Sequence, residues 1–164
     1  MKPIECMGVL AHPLRPQTSP VAAYIVETLE EHGLKTWVYT TWAESDVRED
    51  VPCADMVVAI GGDGAMLRAA RVCAAHEVPV LGVNMGQLGF LTEVDGQEQW
   101  EKQLEHVLAG DYWIERRMML SASVLRDGEV IARGEALNDI VVSQPTPKAM
   151  VEEPVAEEAV EEEA

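Results

Sequence analysis

The 164-residue chain is 48% hydrophobic, enough to bury one substantial core, and its 29 acidic against 12 basic side chains give a formal charge of −17 at pH 7. Such a field repels phosphate backbones and anionic lipid headgroups, which excludes nucleic acid and membrane surfaces as partners. Aromatic residues make up 5% of the chain, too few for a platform on which single strands stack.

In chain order, residues 5–11 read as a first strand. Ser19 and Pro20 read as a cap and first helical residue, and 21–32 as an amphipathic helix stopped by Gly33. Residues 34–40, rich in β-branched and aromatic side chains, are a second strand, followed by a polar loop over 44–52. The fully apolar run 56–60 is a third strand, 65–75 a helix rich in Ala, Leu and Arg, and 80–83 a fourth strand. Residues 98–109 are a further helix, stopped by Gly110. The order β-α-β-β-α-β-α, with strands too apolar to face water on either side, predicts an α/β fold: a three-layer sheet with helices on both faces, over residues 1–112.

From Tyr112 the pattern changes. Residues 117–126, an Asp127-Gly128 turn and 129–134 form a predicted hairpin, and 136–143 supplies another strand, with no helix between them. Residues 113–144 therefore read as the incomplete start of a second, antiparallel β portion, since three strands are too few for a sandwich or barrel. The stretch 145–164 holds three prolines, no aromatics, seven glutamates and one lysine, a composition that cannot repay ordering entropy by burial, so a disordered acidic tail is expected.

Cys6, Cys53 and Cys73 lack any paired spacing and read as small core residues, with neither disulfide nor zinc implied. His12, His32, His76 and His106 are scattered, which fits solvent-facing or capping roles and gives no metal-ligand set. The longest apolar stretches fall far short of the ~20 residues a bilayer needs, and the N-terminus has no basic region leading an apolar core, so a cytoplasmic location is expected.

The chemistry concentrates where the third strand ends. Gly61-Gly62-Asp63-Gly64 lies between an apolar strand and a helix, where glycines bring backbone N–H groups close to a ligand and aim a helix N-terminus at phosphate. Beside phosphate, Asp63 has two useful roles: holding Mg2+, or accepting a proton from an attacking hydroxyl. A tight strand-to-helix turn with an aspartate cap accounts for the spacing equally well. No GxxxxGK[ST] occurs, and the third glycine of a GxGxxG fingerprint is missing. A second Gly-rich segment, from Gly82 through Asn84 to Leu91, follows the fourth strand and carries the single Phe of the protein, Phe90. It is either a plain connection or a second ligand loop. If the two strands are neighbours in a parallel sheet, both loops line one crevice at the carboxyl edge.

The AIGGDGAMLRAAR segment from Ala59, PVLGVNMGQLGFLTE from Pro79 and ALNDIVV from Ala136 closely resemble the ATP-dependent NAD kinases of bacteria, over about residues 3–143. GGDG alone is shared with related lipid kinases and phosphofructokinases, whereas the GVNxGxLGFL segment is more selective. The resemblance implies transfer of the ATP γ-phosphoryl group to the 2'-hydroxyl of the adenosine ribose of NAD, giving NADP, with Mg2+. It implies that Asp63 acts on the accepting hydroxyl, that Gly64, Phe90, Asn138 and Asp139 bind NAD, and that Gly61, Gly62, Arg68 and Asn84 serve the phosphates of ATP. Arg68 and Arg71 could offset triphosphate charge, or could simply form a solvated helix face.

Two departures stand out: Ala65 replaces a position that is often a hydroxyl residue in the family, and nothing matches the GSTAY-like motif of the family's longer, β-rich second domain. The chain resembles a truncated kinase, expected to be inactive or weak in isolation, from a family whose full-length members are expected to be homo-oligomers. The alternative is a non-catalytic nucleotide-binding module, or a pseudoenzyme with an acidic interaction tail. A lipid or sugar kinase is disfavoured by the GVNMGQLGFL segment.

Overall fold

The computed structural model describes residues 3–85, 91–96, 99–137 and 139–143, so the predicted tail lies outside the described residues. Ten regular elements follow in chain order: β1 Cys6–Ala11, α1 Thr18–Glu31, β2 Lys35–Tyr39, β3 Met56–Gly61, α2 Asp63–Cys73, β4 Val80–Asn84, β5 Val94–Asp95, α3 Trp100–Ala109, β6 Met119–Arg126 and β7 Glu129–Leu137. Strands β1 to β5 form one parallel sheet in the order β2-β1-β3-β4-β5, and β6 and β7 form a separate antiparallel pair.

Strand alternation splits the core between the two sheet faces. On one face, Met7, Val9 and Ala11 of β1 and Met56, Val58 and Ile60 of β3 pack against Val21, Ala22, Ile25 and Leu29 of α1 and Trp100, Leu104 and Val107 of α3. On the other, Leu10, Val57 and Ala59 meet Ala69, Val72 and Cys73 of α2 together with Trp42, Val47, Val51 and Ala54. This is the expected three-layer arrangement, and each fully buried Val, Leu or Ile contributes about 1.5–3 kcal/mol by leaving water. The predicted polar loop over 44–52 is only partly polar in effect, because Val47 and Val51 are completely buried and complete the α2-side layer.

Several boundaries differ from the sequence reading, each for a local reason. Helix α1 starts at Thr18 rather than at a Ser19 cap. Thr18 already closes a turn by donating its N–H and its hydroxyl to the Arg15 carbonyl, so the helix grows out of that turn. Helix α2 begins at Asp63 and ends at Cys73 in a 3-10 turn over Ala74–His76. Gly134, read as the end of a strand, is interior to β7, which runs unbroken to Leu137 opposite β6 with one irregularity at Val124/Leu125. Residues 139–143 accordingly form no further strand. The hairpin exposes Val124, Leu125, Val130 and Ile131.

Of the cysteines, Cys73 is buried, Cys6 half-buried and Cys53 exposed at the end of a 3-10 turn, so the core assignment fails for Cys53. Burial pushes the Cys73 thiol up to about 12. Among the described residues no helix is long and apolar enough to cross a membrane.

Candidate functional site

The strand order places a topological switch between β1 and β3. The chain leaves β1 for α1 on one face and leaves β3 for α2 on the other, which opens a crevice at the carboxyl ends of these adjacent strands. The Gly61–Gly64 turn fills one side of it. Backbone hydrogen bonds tie its neighbours in: His12 N–H donates to the Ile60 carbonyl (3.1 Å) and Met85 N–H to the Gly61 carbonyl (3.0 Å). The expected adjacency of the third and fourth strands in a parallel sheet is therefore present, with Gly61 in register with Asn84. The β1 loop is a third wall that sequence spacing did not reveal.

The three glycines of the turn are not equivalent. Gly61 has φ +152°, and a Cβ there would come within 2.7 Å of the Ala65 Cβ, so the fold itself demands glycine. Gly62, at φ −116° and ψ −161°, has nothing within 4 Å of an added Cβ, and neither has Gly64. Among the described residues, nothing requires glycine at those two positions. Ala65 is buried against Gly61, which explains why a small residue fits there.

Asp63 is the first residue of α2, and its Oδ1 accepts the N–H of Leu91 at 3.0 Å, which links the carboxylate to the chain leaving the β4 loop. Asn84 is 2% exposed at the end of β4, and its carbonyl accepts the N–H of Gly96. Gly64 and Arg68 share a cleft of about 540 Å³ with Leu67 and Arg71 of α2, Glu44, and Glu135, Ala136, Leu137 and Asp139 at the end of β7. Of the residues expected to bind NAD, Gly64 and Asp139 are thus brought together, while Phe90 and Asn138 lie outside the described residues.

Trp42 is a site residue that sequence reasoning overlooked. Its indole N–H donates to the Ala11 carbonyl (2.8 Å), its carbonyl accepts Arg68 Nη2 (3.0 Å), and the Arg68 guanidinium lies 4.7 Å over its ring. The only signal was an aromatic residue between the predicted strand 34–40 and the loop 44–52. Arg68 is thereby held in one orientation at the cleft wall. Among the described residues no cluster of three metal-ligating side chains occurs.

His12 was expected to cap or face solvent, and its Nδ1 does cap the next turn by accepting the Leu14 N–H at 3.2 Å. Burial, reinforced by the positive charges of Arg15 and Arg68, holds its imidazole below the ordinary value of 6.5. The unfolded chain therefore takes up a proton here that the folded chain refuses, so this contribution to stability is present above about 6.5 and is lost as pH falls through the folded value. We expect the thermal midpoint of His12→Asn, which keeps the acceptor for Leu14, to fall less steeply below that pH than the wild type. Parallel melting curves across the acid range check it, and identical slopes would refute it.

Comparison with known proteins agrees with this layout. Residues 19–112 match the family described as the ATP-NAD kinase N-terminal domain. The NAD kinase of Citrifermentans bemidjiense is 42% identical over 139 residues, covering 79% of this chain and 48% of that protein. The NAD kinase of Pseudomonas fluorescens is 44% identical over 128 residues, covering 78% of this chain and 40% of its own length. The chain spans about half the length of the curated relatives it matches. A crystal structure of yeast NADH kinase complexed with NADH superposes with a TM-score of 0.61 at 20% identity, covering 82% of this chain and 47% of that one, which shows the shared fold.

Proposed function

Because the chain belongs to the ATP-NAD kinase family, we propose that it takes part in phosphoryl transfer from ATP to the 2'-hydroxyl of the adenosine ribose of NAD, giving NADP. The observation that carries this reading is the Gly62-Asp63-Gly64 turn: two glycines that no contact among the described residues requires flank a carboxylate at a helix N-terminus. Glycines of that kind leave room for a substrate to approach the backbone, whose first-turn N–H groups favour anionic oxygens.

In this reading the accepting hydroxyl lies against Asp63, whose carboxylate accepts its proton as the oxygen bonds to the γ-phosphorus and the bond from that phosphorus to the β,γ-bridging oxygen breaks, releasing ADP. The Leu91 N–H fixes the orientation of that carboxylate. Asp139, with Asn138 beside it, accepts hydrogen bonds from the dinucleotide at the far wall of the cleft. Gly61, Gly62 and Asn84 shape the floor on which the phosphates of ATP rest. Mg2+ would be held mainly through the substrate phosphates, because Asp63 is engaged by the accepting hydroxyl. It brings charge neutralisation of the transferring group. Most of the catalysis is then positioning.

Titrating NAD and ATP separately into the chain, then measuring NADP formation with protein in excess over NAD, tests the proposal. Both ligands are expected to bind and NADP to form slowly, because the β7 end that carries Asp139 belongs to a two-stranded hairpin, a unit marginal in water by itself. Binding of neither ligand would overturn it. Binding of both without any NADP formed would favour the non-catalytic nucleotide-binding alternative.

A further inference from the structure

We infer that Arg71 contacts a phosphate of the acceptor dinucleotide, and that Glu44 is a weak partner which that phosphate displaces; this rests on the reading of the cleft as the NAD site. Gly64, Leu67, Arg68 and Arg71 follow the i, i+3, i+4, i+7 spacing, so they form one stripe along α2 facing the cleft. At 1.5 Å rise per residue, Arg71 stands roughly 10 Å along the helix from Gly64. A ligand whose reacting hydroxyl sits beside Asp63 therefore meets Arg71 with a group some distance along its length.

The charges in the cleft sort the parts of such a ligand. Among the described residues its cations are Arg68 and Arg71. Arg68 is engaged by the carbonyl and ring of Trp42. Arg71 pairs only loosely with Glu44, at 3.4 Å with both side chains substantially exposed, a kind of pair worth little in water. A phosphate offers the guanidinium two parallel hydrogen bonds and displaces such a partner readily. Opposite stand Glu135 and Asp139, which accept from sugar hydroxyls and repel phosphate. With three carboxylates against two guanidinium groups, the cleft disfavours a triphosphate. It suits a molecule rich in hydroxyls with few phosphates, one of them near Arg71.

The test is to titrate NAD, adenosine and ATP into the 15N-labelled chain, following amide shifts so that weak binding is measurable. For Arg71→Ala, NAD affinity is expected to fall about tenfold while adenosine affinity and the thermal midpoint stay unchanged. Arg71→Lys recovers part of the loss, and Glu44→Gln tightens NAD by about two- to threefold at low salt. Unchanged NAD affinity in Arg71→Ala overturns the inference, as does an equal loss for NAD and adenosine, which would mark a structural role. A loss confined to ATP overturns the assignment to the dinucleotide. If the wild type binds no NAD while adenosine and ATP still bind, the NAD-site reading itself fails.

Discussion

Asp63→Asn is expected to lower NADP formation by about 10²–10⁴-fold while leaving the fold in place. The amide has nearly the shape of the carboxylate, and its oxygen still accepts the Leu91 N–H that Asp63 Oδ1 accepts at 3.0 Å. It loses the negative charge and the ability to take a proton, which are the properties the proposed transfer uses. Loss of an acidic residue from the first turn of α2 costs only about 0.3–1 kcal/mol, too little to unfold the domain. NAD and ATP affinities should move far less than the rate, since the interaction removed is one made in the transition state. Single-turnover NADP formation with protein in excess, read beside circular dichroism and ligand titrations, separates these outcomes. A rate equal to wild type would reduce Asp63 to a turn residue.

The same small substitution at two glycines of the turn should give opposite results. Gly61→Ala must place a Cβ at φ +152° and 2.7 Å from the Ala65 Cβ, so backbone strain of about 1–3 kcal/mol adds to overpacking of similar size. The thermal midpoint should fall by roughly 10 °C or more. Gly64→Ala meets nothing within 4 Å among the described residues and sits in the first turn of α2, where alanine is the better helix former by about 0.5–1 kcal/mol. Its midpoint should hold or rise, yet nucleotide affinity should drop about tenfold or more if the missing Cβ is space kept for the ligand. Melting curves and NAD titration on both variants check this. Unimpaired binding in Gly64→Ala would remove the main structural support for a ligand at the turn.

The legible parts of the fold were those in which one short segment carried its own signal. The run Met56–Ile60 and the glycines after it marked β3 and the turn, and Gly110 marked the end of α3 with a left-handed φ of 72°. The two-residue strand β5 has no periodicity to read, because Val94–Asp95 is a strand only by lying beside Val83 and Asn84. Strand order was likewise invisible: nothing in residues 6–11 says that they lie next to 56–61, and that adjacency is what brings the His12 loop to the crevice. Gly134 misled because a glycine inside a long exposed strand looks like its end. For the site, Asp63 and Gly64 stood out by composition. Trp42 did not, since its importance comes from what it touches across 31 residues to Ala11 and 26 to Arg68.

Strand β1 is synthesised before the two strands it pairs with and lies inside the sheet between β2 and β3. Its inner partner is not complete until residue 61 has been made, so during translation these six apolar-rich residues wait for a mate that is about fifty positions away. The β1–β3 pairing is therefore a non-local closure, which slows folding relative to a chain of local hairpins. The same placement makes β1 intolerant of deletion. Removing residues 6–11 would not trim a loop. It would extract a strand from within the sheet and take Met7, Val9 and Ala11 from one helical layer and Leu10 from the other.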